Sequence, residues 1–223
     1  MALQTDTMKA EGRFAVLLAD AIGPETYDRP LMKTRDWVVA PTLGAIVPNW
    51  LIVVPRRPAL NFRSWHEKTG TNPAAIVSDL CEHLSLAADK VLWFEHGPKI
   101  VGTEVGCGVD YAHLHLILDP AFSFETFMER VEESSSLDWQ QSSPKEAYSR
   151  LTGRNSYLVI GMGNHVKITE GVEQTGSQFL RRMVAAAIGQ AEMWNYRHHP
   201  HHANIARTVE TFRALESAAR RSD

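Results

Sequence analysis

The chain has only two cysteines, Cys81 and Cys107, in 223 residues. That is too few for a disulfide framework and fits a reducing compartment. Basic blocks are equally scarce. None is longer than the pairs Arg56–Arg57, Arg181–Arg182 and Arg220–Arg221, and the formal net charge is -3. A nucleic-acid partner is therefore not expected, although a local anion pocket remains open. There is no secretory leader pattern and no apolar run long enough to span a bilayer, so no membrane partner is expected and a cytoplasmic location is. Internal repeats are absent. What remains is 44% hydrophobic and 22% charged, a balance that builds a core. The length suits one large domain, or one domain with an extension.

Residues 1–12 are polar and read as a frayed end. "WVVAP" (37–41) and "NWLIVVP" (49–55) read as neighbouring antiparallel strands, each stopped by proline. In 71–90, Pro73 stands in the first turn and Ile76, Val77, Leu80, Leu84 and Ala87 recur at helical spacing, which predicts an amphipathic helix. "VLWFEHG" (91–97) reads as a strand, 122–136 as a helix whose charges form a solvent face, and 136–150 as a loop or hinge. "SYLVIGMGNHVKIT" (156–169) predicts a hairpin turning at Gly163–Asn164. Helices over 176–189 and 203–220 close the chain. The pattern is α+β: one antiparallel sheet with helices packed mainly on one side, then a C-terminal hairpin and two helices. It divides into 1–135 and a C-terminal extension, 136–223, packed on the same core.

Chemistry concentrates in "GCGVDYAHLHLIL" (106–118). On a strand, His113 and His115 point to one face, about 7 Å apart along the chain, and Leu114 and Leu116 to the other. Three readings fit. The rings could be structural, satisfied by polar neighbours. They could ligate a metal, with His66, His83 or His96 as a third ligand, although no Cys-x-x-Cys or His-x-x-x-His assists. Or a neutral imidazole could attack phosphorus, beside a loop whose Gly102, Gly106 and Gly108 let backbone amides approach anionic oxygens. Cys107 as a thiolate nucleophile is a further option, set against its being a small residue that suits a turn. "RHHPHH" (197–202) lacks metal-ligand spacing and reads as a solvated loop. "SQFLRR" opens a helix whose N-terminus, Gln178 and Arg181 suit an anion.

The stretch resembles the histidine-triad family of nucleotide hydrolases and transferases, whose signature alternates histidine with apolar residues after a glycine turn. "DWVVAPTLGAIVPNWLIVVPRR" and "LWFEHG" resemble that family's upstream strands. The likeness covers roughly residues 25–120, and "GSQFLRR" with "WNYR" resembles the C-terminal extension of larger bacterial members. The resemblance implies a nucleotide or nucleotide-conjugate substrate, cleaved at a phosphoanhydride or phosphoramidate through a covalent nucleotidyl-histidine. By it, His113 is the nucleophile and His115 contacts the phosphoryl oxygens. The Gly106, Cys107 and Gly108 amides bind phosphate, with Thr103, Gln178 and Arg181 as further candidates. Trp37, Val39 and Thr42 line the nucleoside pocket. The backbone carbonyl of residue 111 would fix the His113 tautomer. No cofactor or metal is required by that chemistry, and a homodimer is in keeping with the family.

Three positions depart from the pattern. Tyr111 replaces the first triad histidine, Pro58 stands where a histidine is usual, and Thr42 falls where many members carry an acid for the ribose hydroxyls. A catalytically silent nucleotide-binding module and a metal enzyme using His113 and His115 are the alternatives.

Overall fold

The computed structural model describes residues 10–19, 23–103 and 110–221. Among those residues the chain builds an α+β fold on one antiparallel sheet of eight strands. In chain order these are β1 (Met32–Lys33), β2 (Trp37–Pro41), β3 (Trp50–Pro55), β4 (Val91–Gly97), β5 (Leu114–Leu118), β6 (Gln140–Ser142), β7 (Tyr157–Met162) and β8 (His165–Glu170). Their order across the sheet is β1-β2-β3-β5-β4-β7-β8-β6. The C-terminal hairpin β7–β8 thus extends the same sheet as the histidine strand, with β7 paired to β4 from Leu92↔Met162 to Gly97↔Tyr157.

Among the described residues seven α-helices surround it: α1 (Gly12–Leu18), α2 (Phe62–Thr69), α3 (Pro73–His83), α4 (Phe124–Glu133), α5 (Ala147–Arg150), α6 (Phe179–Ala187) and α7 (His202–Ala219). Contrary to the one-sided layer expected from sequence, they cover both faces. Helices α2, α3 and α5 pack with Trp37, Val39, Leu51, Trp93, Leu114 and Leu116 on one face. Helices α4 and α6 pack with Trp50, Leu92, Phe94 and Ile117 on the other, where α1 covers Ala40, Ile52 and Val54. Helix α7 gives Phe212 to the first cluster and Ile205 to the second. The reason is in the strands: every residue of β2, β3 and β5 is buried, so neither face can meet water. Each fully buried Val, Leu, Ile or Phe contributes roughly 1.5–3 kcal/mol, so a second layer of helices is favoured strongly over an exposed apolar face.

Local chemistry sets the helix ends. Asn61 caps α2, its side chain accepting from the Ser64 amide while the Ser64 hydroxyl answers the Asn61 amide. Asn72 accepts from the Ala74 amide ahead of Pro73, and Ser123 caps α4. Helix α3 stops at His83, short of the 71–90 span expected, because Leu84 leaves the helical region and Ser85 takes a left-handed φ of 51°.

Candidate functional site

His113 and His115 lie on the face shared by Ile52 and Phe94, the residues that flank His115 in β3 and β5's other neighbour β4. Both rings are buried, their centroids 5.2 Å apart at 84°. The two hydrogen bonds they make assign their protons. His113 Nδ1 lies 2.8 Å from the Tyr111 carbonyl oxygen. That oxygen only accepts, so Nδ1 carries the hydrogen and Nε2 keeps the lone pair. At His115 the roles reverse. Trp50 Nε1–H donates to His115 Nδ1 at 3.1 Å, so the neutral ring carries its hydrogen on Nε2. That Nε2 is buried and has no partner among the described residues.

Electrostatics keep both rings neutral. Burial lowers His113, opposed by the Tyr111 bond and assisted by Arg13. Burial takes His115 well below its ordinary value, helped by His113, Arg181 and Arg13. The site therefore pairs a neutral nitrogen lone pair with an unpaired N–H donor, within reach of two arginines. A buried polar group left unsatisfied costs about 1–3 kcal/mol. A strand interior carries that cost only if a ligand relieves it or something else offsets it.

Aromatic side chains hold the rings. His115 stacks on Phe94 (5.1 Å, 29°) and meets Trp50 edge-on (5.7 Å, 74°). On the other side Phe14 of α1 lies 5.3 Å from His113 and 6.0 Å from Tyr111. Arg13 fixes that helix in place. Its guanidinium bonds the carbonyls of Tyr27 and Pro41 and the Asp28 carboxylate, and burial lowers its pKa to about 10. Tyr111, where the resemblance would place a histidine, is buried and sends its hydroxyl to the Pro55 carbonyl at 3.0 Å. Its backbone carbonyl still performs the orienting task expected of residue 111.

The remaining expected residues divide. Arg181 comes to the site's edge: it is buried, lies 4.9 Å over the Trp50 ring, and bonds the carbonyls of Gly44 and Trp194. It backs the Trp50–His115 bond. Gln178 precedes α6 with a left-handed φ of 57°, its Oε1 buried without a partner among the described residues. Thr42 shares the histidine face through its amide bond to the Trp50 carbonyl, and its Oγ1 is likewise buried and unpaired among those residues. The nucleoside-pocket assignment of Trp37 and Val39 is corrected. Ala40, not Val39, pairs with Ile52, so Trp37 and Val39 sit on the opposite face in the core with Leu114 and Leu116. Alternation along the strand decides the side, and those two positions have the wrong parity. Thr103 directs its hydroxyl to the Ile100 carbonyl at 3.4 Å. Gly106, Cys107 and Gly108 lie outside the described residues.

Sequence reasoning missed Trp50 as the orienter of His115, missed Arg13, and treated His96 only as a metal candidate. Among the described residues no group of three or more His, Cys, Asp or Glu could hold a metal ion. In the 197–202 stretch, His201 bonds the Met193 carbonyl at 3.1 Å and His202 stacks on Tyr27. No protein-family model matches the chain, and no curated protein matches it. Among the described residues no helix is long and apolar enough to cross a membrane.

Proposed function

We propose that this chain is a histidine-triad-type nucleotide hydrolase or nucleotidyltransferase working through a covalent nucleotidyl-histidine at His113. The observation that carries the reading is the opposite tautomers of two adjacent neutral histidines. The Tyr111 carbonyl leaves the His113 Nε2 lone pair for attack, and Trp50 leaves the His115 Nε2–H for donation. Structural histidines satisfied by neighbours would not need opposite assignments, nor leave a buried donor over.

The chemistry follows from those assignments. His113 Nε2 attacks the α-phosphorus of a nucleotide, forming a P–N bond as the bond to the leaving group breaks and its electron pair departs with that group. His113 retains its Nδ1 hydrogen throughout, and the ring's new positive charge is stabilised by the Tyr111 carbonyl. His115 donates to a non-bridging phosphoryl oxygen as charge builds there. One such preorganised donor is worth about 10²–10³ in rate. Water or another acceptor then attacks the phosphorus, the P–N bond breaks with its electron pair returning to His113 Nε2, and the acceptor's proton passes to solvent. The family's motif supports this assignment, and so does the intact carbonyl at position 111 despite the Tyr111 side chain.

Intact-protein mass tests it, after brief incubation with diadenosine triphosphate or adenosine 5′-phosphoramidate and quenching without acid. Wild type should gain one nucleoside monophosphate and His113→Ala none. Binding without adduct or turnover would make the chain a silent nucleotide-binding module. Neither binding nor adduct would remove the nucleotide from the reading altogether.

A further inference from the structure

Strand β4 brings a third histidine to the same face. Phe94 pairs with His115, so two residues further along these antiparallel strands His96 comes opposite His113. Directly opposed residues on one face hold their Cβ atoms about 4.5–5.5 Å apart. Helix α6 closes over this end. Its Phe179, Leu180 and Val184 share an apolar cluster with Leu158, the β7 partner of His96. Arg182 of that helix is near enough to act on the His96 ring, which burial, His113 and Arg182 together lower to about 3.

Two nitrogens here lack partners. His96 Nε2 and Arg182 Nε are both buried without a hydrogen-bond partner among the described residues. Arg182 is held in place by its Nη2 bond to the Thr175 carbonyl and by the Phe179 ring 5.7 Å away. An arginine Nε–H can only donate. Among the described residues, the charges acting on His96, His113 and His115 come from one another and from Arg13, Arg181 and Arg182, with no carboxylate among them. The surroundings suit an anion on the His96 side of the nucleophile as well as on the His115 side.

We propose that His96 and Arg182 form a second anion subsite beside His113, one that holds the phosphate or pyrophosphate end of the group leaving with the broken P–O bond. The subsite rests on the covalent reading above. It makes this pair the residues that favour anhydrides over amidates. In an anhydride the electron pair of the P–O bond goes to a phosphate oxygen, and negative charge grows where Arg182 stands. In an amidate the departing nitrogen needs a proton instead, which a guanidinium does not supply.

Calorimetric titration of inorganic pyrophosphate into the full chain tests the subsite directly. Turnover of diadenosine triphosphate and of adenosine 5′-phosphoramidate, which transfer the same nucleotidyl group, tests its role. Wild type should bind about one equivalent of pyrophosphate, and His96→Gln and Arg182→Gln should each weaken binding about tenfold, as the loss of one charge-assisted hydrogen bond would. The same variants should lower kcat/KM for the anhydride about tenfold more than for the amidate. No pyrophosphate binding by wild type, unchanged binding by both variants, or equal losses on both substrates would overturn the proposal. Should His96→Gln melt early, Arg182→Lys decides, because it keeps the charge and loses the Nε–H. Binding lost in the variants with no adduct at His113 would uphold the subsite and sink the covalent mechanism. An adduct at His113 with pyrophosphate binding untouched by the variants would do the reverse.

Discussion

Glu95 and His96 are consecutive on β4 and point to opposite faces, and the chain treats the two buried groups differently. Glu95 has both carboxyl oxygens engaged: Oε1 accepts from the Phe62 amide at the start of α2, and Oε2 from the Tyr157 hydroxyl, each at 2.7 Å. Burial lifts it to about 7 against the pull of those bonds. His96 has a buried nitrogen with no partner among the described residues. A buried polar group that is fully bonded ties structural elements together, here α2 to β4 and β7. One that is left open marks a place where something else completes the bonding.

The sharpest way to break this contrast is on the histidine face. Trp50→Phe keeps the ring and removes the N–H that fixes His115 with its proton on Nε2. We expect kcat to fall on the order of a hundredfold, as when a preorganised donor is lost. Steady-state kinetics would check it, and unchanged kcat would mean that the His115 tautomer is irrelevant. Glu95→Gln should do the opposite. It should lower stability by about 1–3 kcal/mol, read from urea midpoints, and leave kcat/KM within about twofold. A large activity loss at unchanged stability would make Glu95 part of the chemistry.

The contrast should also show in the pH dependence of stability. Glu95, ordinarily 4.5 and raised to about 7, contributes stability that is full below 4.5 and lost as pH rises through 7. The three rings, lowered from 6.5, contribute stability present above 6.5 and lost as pH falls, for His96 through about 3. Between 6.5 and 4.5 three rings oppose one carboxyl, so stability should fall with falling pH. His96→Gln should flatten that slope and Glu95→Gln steepen it, both visible in urea midpoints taken across the range.

The strands were legible because apolar runs ended by proline or glycine leave few alternatives, and β4 spans the residues 91–97 read from sequence. The elements that escaped have weak patterns. Helix α2 buries only Phe62 and Trp65, and α1 only Phe14 and Leu17, too few to show a period. The segment read as a loop over 136–150 contains β6, whose Gln140–Ser142 are polar and owe their extended form to backbone pairing with β8. At the site, alternation placed His113 and His115 on one face without error. Choosing Trp37 and Val39 required the register between β2, β3 and β5, which alternation within a single strand does not supply. His96 was within reach of the same reasoning once β4 was set beside β5. Arg13 was not, because its approach depends on how α1 folds back over the sheet.

Gly102 and Asp110, on either side of positions 104–109, are tied together. Both Asp110 carboxylate oxygens accept from the single Gly102 amide, at 3.0 and 2.9 Å. That clasp sits just ahead of the histidine strand. With Gly102 and Asp110 tied to each other, exchanges, additions or deletions in the sequence between them should leave the register of β5 unshifted, since doubling a connection's length costs only about 0.6 kcal/mol in closure. Descendants of this chain could therefore vary those positions while inheriting the histidines unaltered.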